Sequence, residues 1–214
     1  MASTNFLLVG VGGQGTLLAS NVLAVVGVRA GFDVKKAEVH GMAQRGGSVS
    51  SHIRWGEKIY SPLIERGEVD YLVSFETLEA LRYVETLRPG RTVLVSSIHI
   101  PPLSVSSGGD VYPDDDEVQR VVGQVTGDLH FVPSLRLAEE AGNTRAHNMV
   151  MLGALASRIA EIAPETWLDV IAELAPPKSV GVNRRAFQMG RKIGSTAKVT
   201  LTVSRHSERN VEPP

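Results

Sequence analysis

The stretch LLVGVGGQGTLLAS, Leu7 to Ser20, restricts the fold of this chain more than any other segment. The apolar run Phe6–Val9 leads into glycines at 10, 12, 13 and 15, and a segment with helical apolar spacing follows. That spacing lets a strand turn sharply into a helix. Gly10 frees the turn, Gly12 and Gly13 permit close backbone approach, and Gly15 lets the helix pack tightly on a sheet. The helix is expected to bury Leu17, Leu18, Val22, Val25, Val26 and Ala30 and to stop at Gly31. FDVKKAEV then reads as a second strand, giving a β-α-β start.

The alternation continues downstream. VSSHIRWG and the adjacent EKIYSP read as a strand pair, and Asp70–Phe75 as a strand. ETLEALRYVETL has helical spacing, and Arg91–Ser97 is again a strand. A Pro/Gly/Ser-rich connection ends in Asp114, Asp115 and Asp116, where negative charge suits a helix start. Leu129–Ser134 is the last strand, and Asn148–Ile162 a periodic helix. Another helix begins near Pro164, where proline suits a first turn, and one more covers about Val182–Ile193. These elements predict an α/β fold: a Rossmann-like, doubly wound, mostly parallel sheet with helices on both faces. Residues 1–193 are read as a single domain and 194–214 as a polar tail.

Does the glycine turn hold a dinucleotide? Its amides at a helix start favour an anion. A ribose-binding acid is expected near position 35, at the end of the second strand. Lys35 and Lys36 stand there instead, with Asp33 early and Glu38 late. Two lysines could tolerate a 2′-phosphate, so an NADP-dependent oxidoreductase stays open beside a turn kept for fold reasons. The Gly-Lys-Ser/Thr of a P-loop does not follow.

A second glycine loop lies in EVHGMAQRGGSVSSHIR. Gly41, Gly46 and Gly47 flank Gln44 and Arg45, an amide and a fixed cation, and His40 precedes them. Loops leaving the carboxyl ends of strands share one edge of an open sheet, so the two glycine loops should be neighbours. GVGGQGTLLAS, followed by EVHGMAQRGGSVSSHIRWG and later NMVMLGALA, resembles the small subunit of indolepyruvate:ferredoxin oxidoreductase. More broadly it is similar to the gamma subunit or domain of 2-oxoacid:ferredoxin oxidoreductases, over about Asn5 to Lys192. The resemblance implies oxidative decarboxylation of a 2-oxoacid with coenzyme A to an acyl-CoA, with reduction of ferredoxin. It also implies thiamine diphosphate and [4Fe-4S] clusters in the complex.

The 214 residues contain no cysteine, so this chain cannot itself ligate an iron–sulfur cluster through thiolates. A Gly-Asp-Gly with a downstream Asn-Asn, the thiamine diphosphate signature, is also missing. The resemblance therefore places both cofactors on a large partner subunit, with ferredoxin reached through the complex. This chain becomes an accessory subunit, inactive alone. Its expected docking or cofactor-binding edge is Gly10, Gly12, Gly13, Gln14, Gly15, His40, Gly41, Gln44, Arg45, Gly46 and Gly47. Arg45 and the amides around Gly12–Gly15 would face CoA phosphates or partner carboxylates. No residue is assigned to catalysis or to a metal.

A net charge of about −1 gives no bulk case for nucleic acid or anionic membrane. The N-terminal MASTNFLLVGVG has no basic segment and reads as a strand rather than a signal peptide, so cytoplasm is expected. His52 falls in a strand pattern, and Asn148 and Asn143 suit helix starts. Met149, Met151, Leu152 and Leu155 read as core or subunit interface, with Gly153 and Ala154 allowing close packing. Glu76 and Glu79 favour a helix start or serve a ligand. A non-enzymatic nucleotide-sensing or interaction module is the third open reading.

Overall fold

The structure, a computed structural model, describes residues 3–41 and 46–196. The expected β-α-β start is present: β1 (Thr4–Val11), α1 (Thr16–Arg29) and β2 (Asp33–His40). β3 (Ser48–Gly56), β4 (Val69–Ser74), β5 (Leu87–Ser96) and β6 (Leu129–Val132) complete the strands. Helices α2 (Thr77–Tyr83), α3 (Leu103–Ser106) and α4 (Asp115–Gly123) lie between β4 and β6. α5 (Ser134–Ala141), α6 (His147–Ala156), α7 (Pro164–Leu174) and α8 (Val180–Thr196) follow β6. The helix α8 runs past residue 193, and the rest of the expected tail lies outside the described residues.

The six strands lie in the order β2-β3-β1-β4-β5-β6. β1, β4, β5 and β6 pair in parallel, whereas β3 runs antiparallel to both β1 and β2. EKIYSP forms no strand: β3 finds its partners in β1 and β2 and does not pair with the segment that follows it. That segment instead returns Ile59 to the core, and its amide donates to the Asp33 carboxylate at 2.8 Å.

Strand alternation divides the interior into two layers. Phe6 and Leu8 of β1 face α1, α6, α7 and α8, while Leu7 and Val9 face the side of α2 and α4. The buried stripe of α1 is Thr16, Ala19, Ser20, Val22, Leu23, Val26 and Gly27. Leu17 and Ala30, expected inside, are exposed, because small Ala19 and Gly27 face the sheet. A Cβ on Gly27 would lie 2.4 Å from Trp55 Nε1, so only glycine lets α1 sit this close to β3.

The helix read as Asn148–Ile162 is shorter, His147–Ala156, and every one of its residues is buried. It is a central helix, walled by the sheet on one side and by α5 and α8 on the other. The Met149–Leu155 stripe is therefore core, and α8 crosses at Gly153. α5, absent from the sequence reading, hides behind β6 in the polar run SLRLAEEA. No helix among the described residues is long and apolar enough to cross a membrane.

Candidate functional site

The chain steps from β1 in one direction to β3 and β2, and in the other to β4, β5 and β6. A crevice opens where strand order diverges, at the carboxyl ends of β1 and β4. The first glycine turn occupies that point. Gln14 is buried, and its carbonyl oxygen accepts from the Val11 amide at 2.8 Å. Its amide nitrogen donates to the Phe75 carbonyl at 2.7 Å. One side chain thus closes the turn and ties the end of β1 to the end of β4. A Cβ on Gly10 would fall 2.9 Å from that Gln14 oxygen, which is why a glycine precedes the turn.

Gly15 adopts φ 77, and a Cβ there would meet Asn148 Nδ2 at 2.5 Å. Asn148 does not cap α6, as the sequence suggested. It lies inside the first helical turn and donates to the Gly15 carbonyl at 3.0 Å. Asn143 does cap, accepting from the Arg145 amide at 3.0 Å. The first turn of α1 carries no acidic residue, so the positive end of its dipole is not answered from within the helix.

The second glycine loop meets the first directly. Gly12 donates to the Gly47 carbonyl at 2.8 Å, and Gly46 donates to the Gly12 carbonyl at 3.2 Å. Met42, Ala43, Gln44 and Arg45 lie outside the described residues, so two members of the expected edge, Gln44 and Arg45, have no placement. His40 is exposed, with Nδ1 3.1 Å from the Gly41 carbonyl oxygen. His52 is half-buried and its Nδ1 accepts from the Ile64 amide at 3.2 Å; burial pushes its pKa down.

Two cavities flank the first turn. One, of about 420 Å³, lies between Gly13, Gly15, Glu38, His40 and Ser50. Glu38 reaches it although β3 separates β2 from β1, a spacing of roughly 9–10 Å for two strand steps. A dinucleotide fold places that second strand beside the first, so a ribose acid sits one step away. The insertion of β3 removes that geometry. The second cavity, of about 450 Å³, is bounded by Gln14, Ile98, Ile100, Leu135, Arg145 and His147.

Three buried polar groups stand in this part of the fold; the helix-start role expected of Glu76 holds, whereas the setting of His147 and the partners of Glu79 were not foreseen. His147 opens α6, and burial drops its pKa to about 4. Its Nδ1 has no hydrogen-bond partner among the described residues, and its ring meets Phe75 edge-on at 6.3 Å. Glu76 caps α2, accepting from the Glu79 amide at 3.0 Å and the Ile100 amide at 2.9 Å. It also accepts from the Tyr112 hydroxyl, and burial with that bond raises the Tyr112 pKa. Glu79 accepts from Ser48 Oγ and from Arg82 Nη1 at 2.8 Å, and burial raises its pKa. Local pattern put both glutamates at the start of α2, but nothing local showed that they are buried.

Large apolar side chains lie exposed at the rims of these cavities: Leu17, Val39 and Leu135. The residues present do not fit an iron–sulfur cluster, because the chain has no cysteine. Among the described residues no group of three His, Asp or Glu converges as a metal site would require. The arrangement offers backbone donors, an open crevice and an apolar rim.

Residues 5–193 match the family described as pyruvate ferredoxin/flavodoxin oxidoreductase. A Thermococcus kodakarensis protein named indolepyruvate oxidoreductase subunit IorB is 41% identical, over 90% of this chain and 96% of its own length. A Methanothermobacter marburgensis protein named 2-oxoglutarate synthase subunit KorC is 28% identical, over 87% of this chain and 94% of its own. Among solved structures, 2-oxoglutarate:ferredoxin oxidoreductase from Magnetococcus marinus, with 2-oxoglutarate, coenzyme A and succinyl-CoA bound, superimposes with a TM-score of 0.69. That match is 20% identical and covers 92% of this chain and 32% of the Magnetococcus chain, so the shared feature is the fold.

Proposed function

The chain belongs to the pyruvate ferredoxin/flavodoxin oxidoreductase family, and from that premise we propose that it is the cofactor-free small subunit of a 2-oxoacid:ferredoxin oxidoreductase. The complex oxidatively decarboxylates indolepyruvate or a related aryl 2-oxoacid to the acyl-CoA and reduces ferredoxin in the cytoplasm. Thiamine diphosphate and iron–sulfur clusters reside on a large partner subunit, and this chain is inactive alone. The aryl substrate is supported by identity: 41% to an indolepyruvate oxidoreductase subunit against 28% to a 2-oxoglutarate synthase subunit.

One observation carries the reading. Two glycine loops are bonded into a single edge beside two open cavities. Such an edge suits donation of backbone hydrogen bonds to an anion or to another chain, with the chemistry supplied from outside. Gly13 and Gly15 are its centre, since the Gly12 amide is already given to Gly47, and Arg45 is the proposed cation for CoA phosphates or partner carboxylates.

The test is co-purification with a large thiamine-diphosphate/iron–sulfur subunit, then ferredoxin-dependent turnover with aryl and aliphatic 2-oxoacids. The expected result is activity of the complex, preference for the aryl acid and none from either chain alone. Turnover of the isolated chain with NAD or NADP would overturn the reading. Arg45→Ala should weaken assembly or raise the KM for CoA; indifference of assembly, CoA affinity and turnover would remove Arg45 from the edge.

A further inference from the structure

The start of α2 carries two carboxylates three residues apart, the capping Glu76 and Glu79 in the first turn, each 1% exposed. Burying a carboxylate is costly unless its partners are well placed. Glu76 is accounted for locally by the α2 cap, the Ile100 amide and Tyr112. Glu79 is not, because the cap is already made. One of its oxygens takes Arg82 from the same helix. The other takes the hydroxyl of Ser48, 31 residues earlier and in a different layer of the fold.

Ser48 is the first residue of β3 and pairs with Val11, the last residue of β1. The residue before it, Gly47, accepts from Gly12. Tyr83 Oη stands 3.4 Å from the Ser48 hydroxyl and closes the space on the α2 side. The chain leaving the second glycine loop is thus held twice: by backbone bonds to the first turn, and by one charge-assisted bond to a buried anion on α2. A bond to an ionised acceptor is roughly twice as strong as a neutral one.

We propose that Glu79 is a positioning residue of the glycine edge, holding the Gly46–Ser48 arm against the Gly12 turn through the Ser48 hydroxyl. This rests on the reading that the edge meets the partner subunit or CoA. Glu79 touches neither, so its removal changes how well the edge is formed and leaves the chemical step alone. The groups facing it are Ser48 from β3 and Arg82, Tyr83 and Glu76 from α2, with Tyr112 behind Glu76. Protonating Glu79 weakens the hold, so the apparent affinity of the edge falls as the medium is acidified.

The test has two arms, with Glu79→Gln, Ser48→Ala, the double variant and Ser48→Thr, which keeps the hydroxyl. In the full isolated chain, amide exchange of Gly12 and Gly46 should accelerate about tenfold in either single variant and no further in the double, with Ser48→Thr near wild type. In the reconstituted complex the same variants should raise the KM for CoA, or the dissociation constant for the large subunit, severalfold while kcat stays within about twofold. The CoA KM of Glu79→Gln should also lose its rise at acid pH. Unchanged exchange, or additive effects in the double variant, would overturn the proposal whatever the complex does. Faster exchange with an indifferent complex would leave the anchor in place and overturn the reading of the edge. If Glu79→Gln does not fold, the Ser48 pair at its half-buried position decides the same question.

Discussion

Glycine does opposite things at the two places where this chain concentrates it. Where α8 crosses α6, a Cβ on Gly153 would stand 2.0 Å from the Phe187 carbonyl oxygen, and one on Gly190 2.0 Å from that of Val150. At the loop edge Gly10 and Gly15 pack against Gln14 and Asn148, but a Cβ on Gly13, Gly41 or Gly46 would meet nothing within 4 Å among the described residues. The first set strips bulk so that two helix backbones touch. The second leaves backbone bare in front of open space. What marks a surface for a ligand or partner is the room before the glycine, not the glycine.

The comparison is most easily broken at the crossing. In Gly153→Ala the new methyl also lies 2.8 Å from the Arg191 amide nitrogen, so backbone would have to move. We expect a loss of about 3 kcal/mol and a melting temperature lower by roughly 6–12 °C. A thermal melt within 2 °C of wild type, by the same scale of about 1 kcal/mol or less, would show that the helices are not in contact.

His147 joins the two regions, since it begins α6 and lines a cavity at the edge. Its imidazole ordinarily titrates at 6.5, and burial holds it at about 4. The unfolded chain therefore takes up a proton below 6.5 that the folded chain refuses until about 4. Its stability contribution is whole above that window and is lost as pH falls through it, up to about 3 kcal/mol. Urea denaturation of wild type and His147→Asn between neutral pH and pH 4 measures this. A parallel slope in the two proteins would place His147 in water.

Much of the fold was legible because its signals are local. The glycine turn, the alternating strands and the Asp114 cap each depend on a few neighbouring residues. β3 shows where legibility ends. Its alternation identified a strand, but only the tertiary pairing with β1 and β2 sets its neighbours. α6 was mistaken in extent because a helix buried all round carries no polar face to mark its limits. At the edge, the neighbouring of the two loops followed from where strand ends must lie. The roles of Gln14, Asn148 and Glu79 did not, since their partners lie 61, 133 and 31 residues away.

Gln14 tests whether the open edge has a rigid frame. Gln14→Leu keeps the bulk but leaves the Val11 amide and the Phe75 carbonyl without the bonds they make now. Two buried groups losing a partner should cost about 2 kcal/mol, visible as a lower urea midpoint with an unchanged slope. A cost as small as that of an exposed substitution would mean the turn is held by its glycines alone.

Gly41→Ala has the smallest expected effect on stability and the sharpest meaning. The position is exposed, its φ is not in the left-handed region, and the added methyl meets nothing among the described residues. Alanine also narrows the unfolded ensemble, so the folded chain should keep its stability or gain up to about 1 kcal/mol. If the space before the edge is filled by the large subunit or by CoA, that same methyl must enter it. The isolated protein would then denature like wild type while its affinity for the large subunit, or the KM of the complex for CoA, worsens severalfold. A complex indifferent to Gly41→Ala would free the β2 side of the edge for solvent and confine the docking surface to Gly12–Gly15. The divergence between an unaffected fold and an affected complex is what separates a glycine kept for presentation from one kept for packing.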